Sequence, residues 1–152
     1  MLQQLMSTQN DYSLTVARVL LGVVFFAHGA QKMFGWFGGP GLSGTLSFFE
    51  KLQMPVAVAW FGILVEFLGG LSLLFGLLSR VAALAIIAEM IGAVLTVHIH
   101  FGFFMNWFGN QKGEGFEYHL IAIAVAFLIM VQGAGALSID YIVSSRLFRA
   151  RP

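Results

Sequence analysis

The sequence predicts an all-α integral membrane protein: a four-helix bundle with a short amphipathic interfacial helix in its first outer loop. Three observations carry this. Hydrophobic residues make up 59% of the 152-residue chain and charged residues only 10%, where a soluble domain needs about a quarter charged to clothe its surface. Mean hydropathy is +0.86. Four apolar stretches, approximately 14–34, 56–78, 81–104 and 118–137, each approach the roughly 20 residues that a helix needs to cross a hydrocarbon core. Such a chain has too little polar surface to cover these stretches in water, so residues 1–152 read as one transmembrane domain with lipid as its solvent.

The stretches differ in purity. The first holds Arg18, His28 and Lys32, and the second only Glu66 and the Ser72 hydroxyl. Glu89, His98 and His100 interrupt the third, while His119 and Gln132 mark the fourth. Ser79-Arg80 is the tight turn expected between the second and third, and the other two connections are long and glycine-rich. Arg18, Arg80, Arg146, Arg149 and Arg151 then share one side against Lys32, Lys51 and Lys112. The positive-inside rule puts the arginines and both termini in the cytoplasm. The N-terminus has no basic residue before Arg18 and no clear cleavage site, so the first stretch is expected to be a retained helix.

The outer loops FGWFGGPG and FGFFMNWFGN combine glycine with Trp36, Phe37, Trp107 and Phe108, rings suited to the headgroup region. After Pro40, Leu42, Leu46, Phe49 and Leu52 recur at helical spacing with Glu50 and Lys51 turned away, which predicts the interfacial helix, ended by Pro55. No Gly-Lys-Ser/Thr follows the glycines, so they are not a phosphate cradle. His28 precedes Trp36-Phe37-Gly38 much as His100 precedes Trp107-Phe108-Gly109, a faint internal echo.

Function is sought in the ionisable residues, because charge within a bilayer is costly and turns toward a protein interior. At 1.5 Å per residue, Glu66 lies about 15 Å below the outer start of its span and Glu89 about 12 Å above the inner start of its own. His28, Lys32, His98, His100, Glu117 and His119 gather toward the outer end, and Arg18 is one turn from the inner surface, within snorkelling reach. At 100° per residue, Arg18, His28 and Lys32 share a stripe with Gly22, Phe25 and Gly29; Glu66 shares one with Gly62, Gly69 and Gly70. Glu89 and His100 nearly eclipse, whereas His98 points away if the helix stays regular. The plainest account is that Glu66 and Glu89 pair with His28, Lys32 or Arg18 and fix helix register. The functional account is a polar interior in the outer half of the bundle.

With no cysteine, this chain carries no disulfide exchange, Fe–S cluster or thiolate metal site. Imidazoles and carboxylates suit Zn, Cu or non-haem Fe, but no HExxH pattern occurs and His98 and His100 split across a helix, so no metal site is assigned. The preferred chemistry is proton transfer to and from a quinone held among aromatic side chains. His28, Lys32, Glu66, Glu89 and Glu117 are the candidate catalytic residues; Phe25, Trp36, His100 and His119 are the candidate quinone-binding residues.

The run Arg18-x3-Gly22-x2-Phe25-x2-His28-Gly29-x2-Lys32-x-Phe34-Gly35 with FGGPG resembles the start of the DoxX family of small membrane proteins. Pro55, Glu66-x2-Gly69-Gly70, Gly76-x3-Arg80, Gly115-x-Glu117-Tyr118 and Gly133-x-Gly135-x-Leu137-Ser138-x-Asp140 extend the likeness over residues 14–141. Ala134 departs from it, since many relatives have proline there. The resemblance implies a four-helix protein of the bacterial inner membrane, with His28, Lys32, Glu66, Glu117 and Asp140 as its recurrent polar positions. It also implies varied roles: membrane subunits of thiosulfate:quinone oxidoreductases, companions of catechol- or quinone-detoxifying and oxidative-stress enzymes, and members of peptide-modifying metal systems. The leading expectation is a quinone-linked redox subunit with the bilayer and a partner oxidoreductase as its partners. The alternatives are a small-solute or proton-coupled transporter, which would need a homo-oligomer, and a non-catalytic anchor or assembly factor. Net charge of +1 gives no indication of nucleic acid.

Overall fold

The computed structural model describes residues 2–147 and is helical throughout. In chain order the helices are α1 (Leu2–Met6), α2 (Tyr12–Phe34), α3 (Gly41–Lys51), α4 (Val56–Leu64), α5 (Gly70–Phe75), α6 (Ser79–Thr96), α7 (Glu117–Gln132) and α8 (Ile139–Leu147). A π turn over Val65–Gly69 joins α4 to α5, so Val56–Phe75 is one 20-residue rod. With α2 at 23 residues and α6 at 18, three rods are long and apolar enough to cross a membrane. The fourth apolar helix, α7, has 16 residues.

Each end has a local cause. Asp11 caps α2, its Oδ1 accepting from Ser13 N at 2.7 Å and Leu14 N at 3.2 Å. Gly35 closes the helix at φ 73°, its N–H returning to Gln31 O. The turn between the second and third rods lies at Gly76–Leu78, one step earlier than the sequence suggests; Ser79 and Arg80 are already helical. Gly76 and Leu78 both adopt left-handed backbone there. α6 has no N-cap side chain of its own. Asp140 supplies one from α8, accepting from Leu78 N at 2.8 Å and Ser79 N at 2.9 Å.

The rods approach closely where glycines meet. A Cβ on Gly29 would strike the backbone of Phe67, and one on Gly70 would meet the Phe26 backbone. α2 therefore seats directly against the π turn, and the glycine stripes expected from the sequence are the packing faces. Phe25, Leu73, Ile86, Ala126 and Ile129 fill the core between α2, α5, α6 and α7. α3 folds back on α2, tied by buried Thr45, whose hydroxyl donates to Gly41 O at 2.8 Å and lies 3.2 Å from Lys32 O. The helix forms where its spacing predicts, but Thr45, rather than a leucine, is its buried residue.

Arg18 does not snorkel. Arg18 is 1% exposed. Its Nε donates to Ala134 O at 2.8 Å, and its two terminal nitrogens donate to Leu73 O, Leu74 O and Leu137 O. It thus satisfies Leu74 O at the end of α5 and adds a second donor to Leu73 O, which also accepts from Gly76 N. Arg80 treats α7 alike, donating to Met130 O and Val131 O at 2.6 Å each. Arg149 and Arg151, counted for orientation, lie outside the described residues.

Candidate functional site

In the other half of the molecule a cavity of about 760 Å³ opens between α2, α3, α4, α6 and the start of α7. This is within the usual range for a small-molecule site. Most of its wall is apolar, from Phe25, Phe48, Phe49, Phe61, Met54 and Met90, and α3 roofs one side. Its charged side chains from the rods are Lys32 on α2, Glu66 on the π turn and Glu89 on α6; His28, His98, Glu114, Tyr118, His119 and the hydroxyls of Thr45 and Thr96 are the other polar groups of the wall.

The π turn is what presents Glu66. One extra residue in the helical repeat widens the turn, a device that recurs at functional sites because it re-aims a side chain without breaking the rod. Glu66 is 5% exposed. Its Oε1 accepts from Lys32 Nζ at 2.6 Å, the one ion pair among the described residues. Its Oε2 is buried without a partner, and so are Glu89 Oε2 and His119 Nδ1. Glu89 reaches the cavity across Gly62, where a Cβ would stand 3.3 Å from its Oε1. Of the two carboxylates, only Glu66 is paired with the ammonium. An unpartnered buried polar atom costs about 1–3 kcal/mol, so the arrangement favours a proton or a ligand group at this end.

The structure brings together His28, Lys32, Glu66, Glu89, Phe25 and His119, six of the nine residues singled out by sequence. His28 sits exposed at the rim. The other three go elsewhere. His100 is exposed and away from the cavity wall, because α6 ends at Thr96. Val97 departs to φ −125°, ψ −58°, and residues 98–101 continue as a 3-10 turn. The change of repeat swings His98 inward, reversing the expectation for a regular helix. Its ring lies 4.1 Å from that of His119, and its Nδ1 is 2.8 Å from Glu114 O. Trp36 is exposed against Phe26 and Phe34. Glu117 ties down the loop between α6 and α7, accepting from Met105 N at 3.0 Å and Trp107 Nε1 at 3.3 Å.

Sequence reasoning missed His98, Tyr118 and Thr45. A helix break with neither proline nor glycine at the break gives no signal for His98; Tyr118 stood beside His119 and was readable. Among the described residues no three His, Asp or Glu side chains gather as a metal set.

Comparison with known proteins gives the site a context. The family model for DoxX matches residues 13–99, which include Lys32, Glu66 and Glu89. The chain is 29% identical over 123 residues to the putative oxidoreductase CatD of Bacillus subtilis strain 168, covering 81% of each. It is 30% identical over 141 residues to the inner membrane protein YqjF of Escherichia coli K12, covering 93% of this chain and 99% of that one. It is also 34% identical over 95 residues to the uncharacterized membrane protein Rv3486 of Mycobacterium tuberculosis, covering 60% and 55%. No solved structure matches. With more than half of its length matched by the family model and nearly all of it aligned to one relative, this chain belongs to the DoxX family of membrane proteins.

Proposed function

We propose that the protein is an inner-membrane subunit that holds a quinone in the cavity beside Glu66 and Glu89 and works with a partner oxidoreductase. One observation carries the reading: a large, mostly apolar cavity ends in two carboxylate oxygens and an imidazole nitrogen that nothing among the described residues satisfies. The apolar wall suits a prenylated ring arriving from lipid, and the polar end suits its oxygens. Likeness to a putative oxidoreductase and to an inner membrane protein supports the activity class and the location.

A quinone, when bound, supplies an acceptor for two electrons and two protons. The chain's own residues handle position and protons. Lys32 holds Glu66 at the wall; Glu89, which has no cation of its own, is the place where a proton can be taken up or given away at Oε2. His119 and His98 add two neighbouring imidazoles, the second set against the main-chain carbonyl of Glu114 at the exposed rim. Electrons must come from a partner or a diffusible donor, since the cysteine-free chain has neither thiols nor a dinucleotide fingerprint.

In the same reading α7 makes a fourth crossing. Its 16 residues span about 24 Å, and the buried Gly133–Ala136 segment extends it. Arg18 and Arg80 then mark the cytoplasmic end with both termini.

Binding in quinone-free nanodiscs tests the site. A radiolabelled short-chain quinone should saturate near one per chain. Gly92→Leu should abolish binding without loss of thermal stability, because Gly92 lines the cavity and a Cβ there meets nothing within 4 Å. Absence of binding, or binding indifferent to that substitution, defeats the proposal.

A further inference from the structure

The ring of helices around the cavity is not closed on every side. α2 packs against α3 and α7, α3 against α4, and α6 against α7. The second rod and α6 close on each other from the π turn inward, where α6 packs against Val65–Gly69 and α5. Toward the cavity end, α4 and α6 part. Gly92 lines the cavity from α6, and a Cβ there would meet nothing within 4 Å. Val58 and Phe61 on α4, and Ala88 and Thr96 on α6, line the cavity and are also exposed. A residue that does both stands at a mouth. The Thr96 hydroxyl donates to Gly92 O at 2.7 Å, so the polar group at this mouth is already engaged within its own helix.

A shallow groove of about 300 Å³ runs on from this mouth between the second rod and α6. Phe61 belongs to both volumes, so the two meet at its ring. Leu64, Leu68 and Ser72 form one bank, and Val81 and Ala85 the other, with buried Gly69 between them. The Ser72 hydroxyl donates to Leu77 O, which leaves the groove apolar. From Phe61 to Ser72 the rod rises about 16 Å at 1.5 Å per residue. A volume of about 300 Å³ drawn out over that length is too slender for a helix about 10 Å across, and suits a single extended hydrocarbon chain.

The cavity itself, at about 760 Å³, has the size of a site for a compact small molecule. It can take a ring and the first part of a tail; a tail of many prenyl units must leave it. We infer that such a tail leaves between α4 and α6 at Phe61 and lies in the groove along Leu64, Leu68, Val81 and Ala85, so that the site takes a long-tailed membrane quinone in preference to a short, water-soluble ring. Lipid surrounds a tail with carbon as apolar as the groove does, so the gain on binding is one of packing. This deepens the quinone-site reading and rests on it.

Two ligands test it: a 1,4-benzoquinone carrying a polyprenyl tail with a diazirine at mid-tail, and the same ring with a methyl group in place of the tail. Binding is measured on the full chain in quinone-free nanodiscs, with concentrations expressed per lipid. The tailed ligand should bind about threefold or more tightly, the scale of a few added dispersion contacts. Photolysis should place its adducts on residues 61–72 and 81–88, well above the level on Leu20 and Val23, which are exposed on α2. Ala85 lines the groove and not the cavity, so Ala85→Trp should leave the methyl ligand's binding unchanged. It should also bring the tailed ligand to equal affinity and its groove adducts down to the α2 level. Leu68 is exposed, so Leu68→Trp repeats the test should a thermal melt show that Ala85→Trp has disturbed the packing. If the methyl ligand binds at least as tightly as the tailed one, if adducts on α2 match those in the groove, or if both tryptophan variants change nothing, the inference fails while the cavity reading stands. If neither ligand binds the natural chain, the cavity reading itself falls and takes the inference with it.

Discussion

The two ends of this molecule use the same kinds of buried charge to opposite effect. At the end with α8, Arg18 donates to four carbonyl oxygens and Asp140 accepts from two backbone N–H groups. Of the buried side-chain atoms there, the Ser79 hydroxyl alone is left without a partner among the described residues. At the cavity end, Glu66, Glu89 and His119 each keep one buried atom free. The difference lies in satisfaction rather than in charge. Side chains whose hydrogen bonds are complete hold helix ends together; side chains left incomplete beside an open volume await something outside the chain.

Mutations can sharpen this contrast. The largest effect belongs to Arg18→Ala, which removes a donor from four carbonyls, of which only Leu73 O keeps the Gly76 N–H, and removes the cation nearest Asp140; unfolding in mixed micelles should show a loss of about 3–5 kcal/mol. Gly29→Ala comes next. Its methyl group enters the Phe67 backbone, and the same titration should register about 1–3 kcal/mol of destabilisation. Asp140→Ala removes the remote cap of α6, for about 0.5–2 kcal/mol, visible as faster amide exchange at Leu78 and Ser79. At the cavity end the sign reverses. Glu89→Gln should leave the melting temperature unchanged or raised, since it relieves an unpaired buried carboxylate. A clear stability loss in that variant would erase the distinction between the two ends. Gly92→Ala should be the smallest change, a gain of up to about 1 kcal/mol from helix propensity with open space for the methyl group.

Most of the architecture was legible because lipid makes a simple demand: long apolar runs must be helices. The glycine stripes on α2 and the second rod were equally readable, since periodicity places Gly29 and Gly70 on the faces that also bear Lys32 and Glu66. The grouping of Lys32, Glu66 and Glu89 followed from the same arithmetic. Three things did not. The 3-10 turn after Thr96 exchanges His98 for His100, because angular projection assumes one helical repeat throughout. Arg18 looked able to snorkel, since nothing in its neighbourhood along the chain reveals carbonyls 55 to 119 residues away. Glu117 looked like part of a polar site, yet a carboxylate at the start of a helix serves equally well to gather loop N–H groups, which is its task here.

The central claim is that the incomplete polar groups at the cavity end face a ligand. It is tested most directly by mass spectrometry of small molecules retained by the full chain after purification in mild detergent, for the natural sequence and for Gly92→Leu. The account predicts close to one quinone-class molecule per natural chain and a small fraction of that in the variant. Finding no such molecule, or finding equal amounts in both proteins, would contradict it.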